Sequence, residues 1–128
     1  QKNIIITFFS NVNHLDVSIQ LTLFNQILQN FVQNAIKFTP NEKSIAIRLR
    51  KTKEKIIITV TDEGIGIPEN VDLFAPFKRI GNQSGVGLGL FLAKNAADAL
   101  RAKITLVNRD DDKTGCIAKL VLNHTSKV

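Results

Sequence analysis

Residues 55–68 read KIIITVTDEGIGIP and join two signals that together decide the fold. The apolar residues at positions 56, 58 and 60 alternate with others and predict a strand from Lys55 to Asp62 with one buried face. The strand closes on a carboxylate, Asp62, and the glycines Gly64 and Gly66 follow it. Because glycine adopts backbone conformations that other residues avoid, the segment predicts a strand that enters a tight, specially shaped loop.

Further strands are predicted on both sides of this segment. Ser44 to Lys51 alternates in the same way, and residues 52–54 join it to the next strand as a hairpin. Three other short apolar or alternating segments, Ile4–Phe9, Ile104–Asn108 and Cys116–Leu122, also read as strands. The acidic run Asp110–Lys113 between the last two strands predicts a polar hairpin turn.

Two helices are predicted between the strands. Apolar residues at three-and-four spacing run through residues 24–38, with Ser18 as the expected N-cap and Thr39-Pro40 as the stop. Residues 87–100 return to helical spacing, and we expect the leucines at positions 88, 90 and 92 to lie in the core. From Glu63 to Ser84 no periodicity lasts, which indicates a long loop.

The order of elements, β-α-β-β-loop-α-β-β, indicates an α+β fold. Hairpins interrupted by helices favour a mixed, mainly antiparallel sheet with helices on one face over a doubly wound parallel sheet. The chain has 128 residues and is 44% hydrophobic, which is enough for one core, so residues 1–128 are expected to form a single domain.

The composition limits which cellular environments and which kinds of partner fit this chain. Lys and Arg exceed Asp and Glu by 17 − 11 = 6 charges, a balance that suits a phosphate-bearing partner. The lone Cys116 excludes an internal disulfide and favours a reducing, cytoplasmic environment. No apolar run reaches the roughly 18 residues of a membrane span, so we expect no direct membrane contact.

A column of side-chain amides lies on the first predicted helix. Gln26, Asn30 and Asn34 recur every fourth residue, and Lys37 lies about one turn beyond. A solvated polar face explains such a column for most helices. Asparagine is a poor helix former, however, and its amide oxygen can ligate Mg²⁺ while the amino group donates to phosphate.

The carboxylate of Asp62 has two interpretations. An Asx-type turn that closes the strand is one, because Asp-x-Gly is common turn chemistry. Recognition of adenine is the other, because the exocyclic amine of adenine donates to an acceptor-only carboxylate. Guanine presents an oxygen at that position and would be repelled.

A third feature, GVGLGL at residues 85–90, runs into the second helix and would expose backbone N–H groups to an anion. Close packing of the helix is the structural alternative for the last glycine, Gly89. The segment fits neither the Rossmann fingerprint nor the P-loop. Upstream, Phe74 and Phe77 are candidate anchors of the loop, and Arg79 is a candidate to reach a γ-phosphate.

Taken in order, four segments resemble the catalytic ATP-binding domain of bacterial sensor histidine kinases. They are residues 34–40, 62–68, 74–79 and 85–90, which resemble the N, G1, F and G2 boxes of the Bergerat fold. This fold is shared with gyrase, Hsp90 and MutL-type ATPases. The resemblance implies an α/β sandwich of a mixed sheet and three helices, with ATP between the long helix and the glycine loops.

The resemblance also implies roles for individual residues. Asn34 matches the Mg²⁺ ligand, Asp62 matches the adenine-binding aspartate, and Asn30, Lys37 and Arg79 match groups that assist phosphate transfer. The residues expected around ATP are Asn30, Asn34, Lys37, Asp62, Gly64, Gly66, Ile67, Phe77, Arg79, Gly85, Gly87, Leu88 and Gly89. No group in the chain is expected to accept the phosphate.

The resemblance places the accepting histidine on the phosphoacceptor and dimerisation helices of a longer parent, with a response regulator downstream. That parent is expected to be cytoplasmic or anchored in the inner membrane, and the isolated domain to be monomeric. Only five residues separate Arg79 from Gly85, and this short lid favours as an alternative an ATP- or ADP-sensing module without transfer. An anti-sigma-type serine kinase on the same fold is a second alternative. A nucleic-acid partner is not expected, since only the net charge favours one.

Overall fold

The computed structural model describes residues 3–15, 19–67, 74 and 89–123. Its elements, in chain order, are β1 (Ile5–Ser10), α1 (Leu21–Phe38), β2 (Ser44–Lys51), β3 (Lys55–Thr61), α2 (Gly89–Ala99), β4 (Lys103–Asn108) and β5 (Cys116–Asn123). This is the order predicted from the sequence, with strand ends displaced by one residue at most. Residues 70–73, where we expect the third helix of the resemblance to be reduced to a turn, lie outside the described residues.

The five strands form one mixed sheet in the order β1-β2-β3-β5-β4. Only β1 and β2 are parallel, and the other three pairs are antiparallel. The α+β prediction is therefore confirmed. Because β3 and β5 are neighbours, with Thr61 opposite Ile117, the end of β3 lies beside the start of β5.

Helices α1 and α2 cover one face of the sheet. Alternate strand positions supply the buried layer below them, namely Ile45, Ile56, Ile58, Val60, Ile104, Ala118, Leu120 and Leu122. From above, α1 contributes Ile27, Phe31 and Ala35, and α2 contributes Ala93, Ala96 and Ala97. The small alanines let α2 approach its neighbours closely. Neither described helix is long and apolar enough to cross a bilayer.

The predicted C-terminal end of α1 agrees with the structure, and the predicted N-terminal end does not. The helix stops at Phe38, and Thr39 is extended as expected for the residue before a proline. The predicted N-cap at Ser18 is wrong: the helix begins at Leu21, and Gln20 occupies the N-cap without a side-chain hydrogen bond. Ile19 instead packs against the core before the helix begins. Burial of this apolar side chain therefore determines where the chain enters the helix.

The expectation that Leu92 is a core residue is also wrong. Its side chain is 40% exposed, because the buried face of α2 follows the alanines at positions 93, 96 and 97. Leu90 is half-buried and packs against the core, as predicted. Residues 87 and 88, where the helix was expected to begin, lie outside the described residues.

Candidate functional site

A cavity opens between α1 and the loop that follows β3. It encloses about 420 Å³, including the space at its mouth. Its lining is Phe31, Asn34, Ala35, Phe38, Asp62, Gly66, Ile67, Leu90, Leu106 and Cys116. Most of these residues are apolar, and the polar side chains are those of Asn34, Asp62 and Cys116. Such a mainly apolar cleft with a few converging polar groups is typical of small-molecule sites.

The buried carboxylate of Asp62 is fixed by its neighbours. The side chain is 5% exposed, and its Oδ1 accepts backbone N–H bonds from Gly64 (2.9 Å) and Cys116 (3.0 Å). The Gly64 bond forms the Asx-type turn that the sequence allowed. Two backbone donors on one oxygen hold the orientation of the carboxylate. Asp62 therefore closes the turn and also presents a rigidly placed hydrogen-bond acceptor.

The second carboxylate oxygen has a thiol beside it. Cys116 Sγ donates to Asp62 Oδ2 over 3.6 Å, and burial together with the nearby carboxylate raises the pKa of Cys116 to about 12. The thiol is therefore protonated at neutral pH and acts as a weak donor. Sequence reasoning did not place Cys116 here, because only the pairing of β3 with β5 brings the two residues together.

The two glycines after Asp62 are required by the close packing of the loop. A Cβ on Gly64 would lie 2.6 Å from the carbonyl oxygen of Phe38, at the end of α1. Gly66 has φ +83°, and a Cβ there would lie 2.7 Å from Asn108 Oδ1. Both positions hold the loop against neighbouring backbone or side chains, which larger residues would displace.

Asn108, at the end of β4, holds the far end of the same loop. Its Oδ1 accepts the Ile67 N–H over 2.7 Å, and its Nδ2 donates to the Ile67 carbonyl oxygen over 2.9 Å. The side-chain amide thus accepts from the N–H and donates to the carbonyl oxygen of the same residue. The sequence analysis missed this residue, since nothing in the spacing between positions 67 and 108 indicates contact.

Arg109 and Gly115, also missed, support Asp62 from the β4–β5 hairpin. Arg109 Nη1 donates to the carbonyl oxygen of Asp62 over 3.0 Å, and its other guanidinium nitrogens pair with Asp111. Gly115 has φ +133°, and a Cβ there would overlap the Asp62 carbonyl oxygen. The predicted polar turn is confirmed, and it also braces the backbone of Asp62.

The amide column divides between two locations. Asn34 lines the cavity and is half-buried, and within the described residues its side-chain amide makes no hydrogen bond. Asn30 Nδ2 donates back to the Gln26 carbonyl oxygen over 2.8 Å. Its Oδ1 lies 2.9 Å from where a Cβ on Gly89 would be, so Gly89 allows α2 to pack closely against α1. The close helix packing that the sequence allowed as the structural role of Gly89 is therefore present.

Other predicted site residues lie apart from the cavity or outside the described residues. Lys37 is half-buried, with its Nζ 5.8 Å from the centre of the Phe38 ring, and it does not line the cavity. Phe74 packs against the core as an anchor. Five predicted residues, Phe77, Arg79, Gly85, Gly87 and Leu88, belong to the part of the chain that the structure does not describe.

Comparison with known proteins decides the family. Residues 20–125 match the model of the family described as histidine kinase-, DNA gyrase B- and HSP90-like ATPases. The chain belongs to this family. The resemblance found in the four sequence segments is thus confirmed, and the cavity lies in an ATPase domain of the histidine kinase-like family.

Solved structures agree with the fold of this ATPase domain. The nucleotide-free catalytic domain of histidine kinase ThkA superimposes with a TM-score of 0.82 and 30% identity, over 94% of this chain and 78% of that one. ThkA in complex with the response regulator protein TrrA gives a TM-score of 0.77 and 28% identity, over 95% of this chain and 34% of that one.

Relatives of similar sequence include two bacterial sensor proteins. Sensor protein KdpD of Mycobacterium tuberculosis is 34% identical over 65% of this chain and 10% of its own length. Sensor protein CiaH of Streptococcus pneumoniae is 28% identical over 99% of this chain and 30% of its own length. The ATPase domain therefore spans between about a tenth and a third of these relatives.

Glu63, between Asp62 and Gly64, fastens the loop of the ATPase domain to β2. Its Oε1 accepts hydrogen bonds from the backbone N–H of Ser44 (2.8 Å) and from its hydroxyl (2.9 Å), and Lys113 Nζ lies 3.6 Å from Oε2. The Ser44 bonds, backbone first, lower the pKa of Glu63, and the charges of Lys113 and Lys43 act in the same direction. The ionised carboxylate is thus the form that holds the loop.

Replacement of Glu63 should therefore change how stability depends on pH. Because its pKa is lowered in the folded chain, Glu63 stabilises above the unfolded pKa, and this contribution is lost as pH falls through the folded pKa. Glu63→Gln should lower the free energy of unfolding by about 1–2 kcal/mol near neutral pH and by less in acid. Urea unfolding across this range measures the effect. Glu54→Gln, in an exposed turn, is the control, and an equal loss for both variants would contradict the role of Glu63.

Proposed function

We propose that this chain binds Mg²⁺-ATP and supplies its γ-phosphate to a histidine on the phosphoacceptor and dimerisation helices of a longer sensor kinase. The observation that carries the proposal is the carboxylate of Asp62, held rigidly in a mainly apolar cavity beside the amide of Asn34. The names of the sensor proteins KdpD and CiaH and the likeness to the catalytic domain of histidine kinase ThkA support the same reaction class.

Adenine fits the cavity chemically. With Asp62 Oδ1 engaged by two backbone donors, Oδ2 lies on the side of Cys116, which also lines the cavity, and retains acceptor capacity. The exocyclic amine of adenine would donate to this oxygen, while Phe31, Phe38 and Leu106 enclose the ring. An oxygen of guanine at the same place would meet a carboxylate, so ATP should bind more tightly than GTP.

The donor chemistry beside the base pocket fits magnesium. The amide oxygen of Asn34 is a hard ligand, and within the described residues no hydrogen bond competes for it. Asn30 lies one turn away with its amino group engaged and its oxygen beside Gly89, so it would contact a metal's water shell only from the start of α2. When bound, Mg²⁺ would neutralise phosphate charge and orient the γ-phosphate.

Positioning accounts for most of the chemistry that the chain itself performs. Phosphoryl transfer requires an aligned γ-phosphate and neutralised charge, and little covalent participation by the protein. Asp62 would fix the base, Asn34 would hold the phosphate end through the metal, and Lys37 with Arg79 would add positive charge. The isolated chain should therefore bind ATP and turn it over slowly, because the accepting histidine must dock from elsewhere.

Asn34→Ala should remove mainly the magnesium-dependent part of ATP affinity. We expect ATP to bind the variant almost equally with magnesium and with a chelator, whereas the native chain should bind about tenfold more tightly with magnesium. Calorimetric titration measures both values. Asn25→Ala, at an exposed position of the same helix, is the matched control. A magnesium dependence unchanged from the native chain would remove Asn34 from the metal site.

Labelling of the parent protein tests the transfer step. Incubation with γ-labelled ATP should label the parent on a group that is stable in base and lost in acid, as phosphohistidine is. An acid-stable label would instead indicate a serine kinase on this fold. ATP affinity without any label would favour the sensing module. The ThkA complex with TrrA supports a response regulator as the next acceptor.

A further inference from the structure

The sheet has a second face that neither described helix covers. On β2 to β5 it consists of the positions between the more buried ones, and on the exposed strand β1 of the positions paired with them, so the register aligns them in rows across the sheet. One row contains Phe9, Arg48, Thr59 and Lys119, and the next contains Arg50, Ile57, Val121 and Lys103. We call this surface the open sheet face.

Charge on the open sheet face is of one sign. Five exposed cations lie there: Arg48, Arg50, Lys55, Lys103 and Lys119. None of the five strands contains an aspartate or a glutamate. The carboxylates that flank the strands in sequence, at positions 42, 54, 62, 63 and 110–112, lie outside the strands in turns and loops at their ends. The open sheet face therefore carries most of the chain's excess of positive charge.

These cations have no carboxylate partner among the described residues. The ion pairs in that part of the chain involve Lys94, Arg109 and Lys113, none of which lies on the open sheet face. Arg48 stacks instead on Phe9, with its guanidinium carbon 5.0 Å from the ring centre. Like charges gathered without counter-charges repel one another, so an anionic partner would stabilise this arrangement.

The open sheet face also contains a groove. It encloses about 940 Å³ including its open side, and Phe9, Arg48, Arg50, Ile57, Thr59 and Lys119 contribute to its walls. Arg48 and Arg50 are two residues apart on β2, so their side chains emerge about 6.7 Å apart along the strand. An extended peptide has the same repeat, so carboxylates at alternate positions would meet both guanidinium groups.

We propose that the open sheet face is a docking surface for an extended acidic peptide segment of a partner protein. Carboxylates at alternate positions of the segment would pair with Arg48, Arg50 and Lys119, while its backbone lies over Ile57 and Thr59. Arginine suits this role because its planar group binds a carboxylate through two donors. The surface is on the opposite side of the sheet from the cavity, so the inference goes beyond the nucleotide function and does not rest on it.

The groove and its chemistry favour a peptide over two other anionic partners. A single-stranded nucleic acid would stack its bases on aromatic faces, and one face of the Phe9 ring is already occupied by Arg48. A membrane surface would use a flat or convex cationic face and would leave a groove of this size unfilled. Both partners enter the experiment as outcomes that would overturn the proposal.

Titration with defined peptides tests the docking surface. The probe is the capped peptide Gly-Glu-Ser-Glu-Ser-Glu-Gly, and its control carries glutamine in place of glutamate. Calorimetry on the 128-residue chain should show saturable binding of the first peptide alone. In the double variant R50Q/K119Q this binding should weaken about tenfold or more, because two of the pairing charges are removed.

A matched variant controls for net charge. K94Q/R101Q removes two solvent-accessible cations that do not lie on the open sheet face, and it should leave peptide affinity within about twofold. Both double variants should unfold in urea at the same midpoint as the native chain, which establishes that each is folded whether or not the chain binds ATP. Equal peptide affinity in both would overturn the proposal. So would binding to phosphatidylglycerol vesicles or duplex DNA that R50Q/K119Q abolishes, if the glutamate peptide does not bind.

Discussion

Gly115→Ala, which adds one methyl group, should lower the free energy of unfolding by about 2–4 kcal/mol. We expect this to be among the most destabilising substitutions in the chain. The backbone of Gly115 has φ +133°, which side chains with a Cβ rarely adopt, and the added carbon would overlap the carbonyl oxygen of Asp62. Arg109, whose Cδ would lie 3.0 Å from that carbon, limits movement on the other side. The hairpin can relieve the overlap only by moving away from β3.

The displacement should also be measurable at the cavity. Cys116 follows Gly115 and donates its backbone N–H to Asp62 Oδ1, so a shift of the hairpin loosens the carboxylate. We therefore expect weaker ATP binding together with the lower free energy of unfolding, measured by calorimetry and urea unfolding. Thr114→Ala, one residue earlier and exposed, should change stability by less than about 0.5 kcal/mol. If Gly115→Ala were as stable as the native chain, the hairpin would be able to accommodate a methyl group, and the predicted overlap with Asp62 would be wrong.

Most of the fold could be predicted because local patterns and the core agree. Alternation in β2 and β3 and the three-and-four spacing of α1 all describe faces that are buried in the structure. The errors occurred where a weaker local signal competed with packing. Ser18 is a good N-cap residue by type, but the helix begins only after Ile19 has packed against the core. Leu92 is apolar, but alanines form the contact face of α2.

The candidate site could be predicted only where its residues carry a local signature. Asp62 before two glycines and Asn34 in the amide column were identified from the sequence, and the structure places both at one cavity. Asn108, Arg109 and Cys116 support the same loop through contacts 41 to 54 residues apart in the chain. Those contacts exist because β5 inserts between β3 and β4, an order of strands that no spacing along the sequence reveals.

Asp62→Asn should weaken ATP binding by about 1–3 kcal/mol while leaving the fold nearly intact. The amide keeps one oxygen, which can still accept the backbone bonds from Gly64 and Cys116 that now hold Oδ1. Its amino group then takes the place of Oδ2 and presents a donor where the amine of adenine also donates. Two donors facing each other lose the hydrogen bond and leave both groups unsatisfied in a mainly apolar cavity. Calorimetric titration with ATP measures the loss.

The same substitution should change which base is preferred, and a merely structural role of Asp62 would not produce that change. An amino group at the Oδ2 position can donate to the oxygen of guanine, so the ratio of GTP to ATP affinity should rise even as ATP affinity falls. Asp98→Asn, exposed on α2 and absent from the lining of the cavity, should leave both affinities unchanged. If Asp62→Asn lowered both affinities equally, the carboxylate would support the loop without contacting the base. If neither affinity changed, the base would bind elsewhere, and the cavity beside Asn34 would lose its assignment as the nucleotide site.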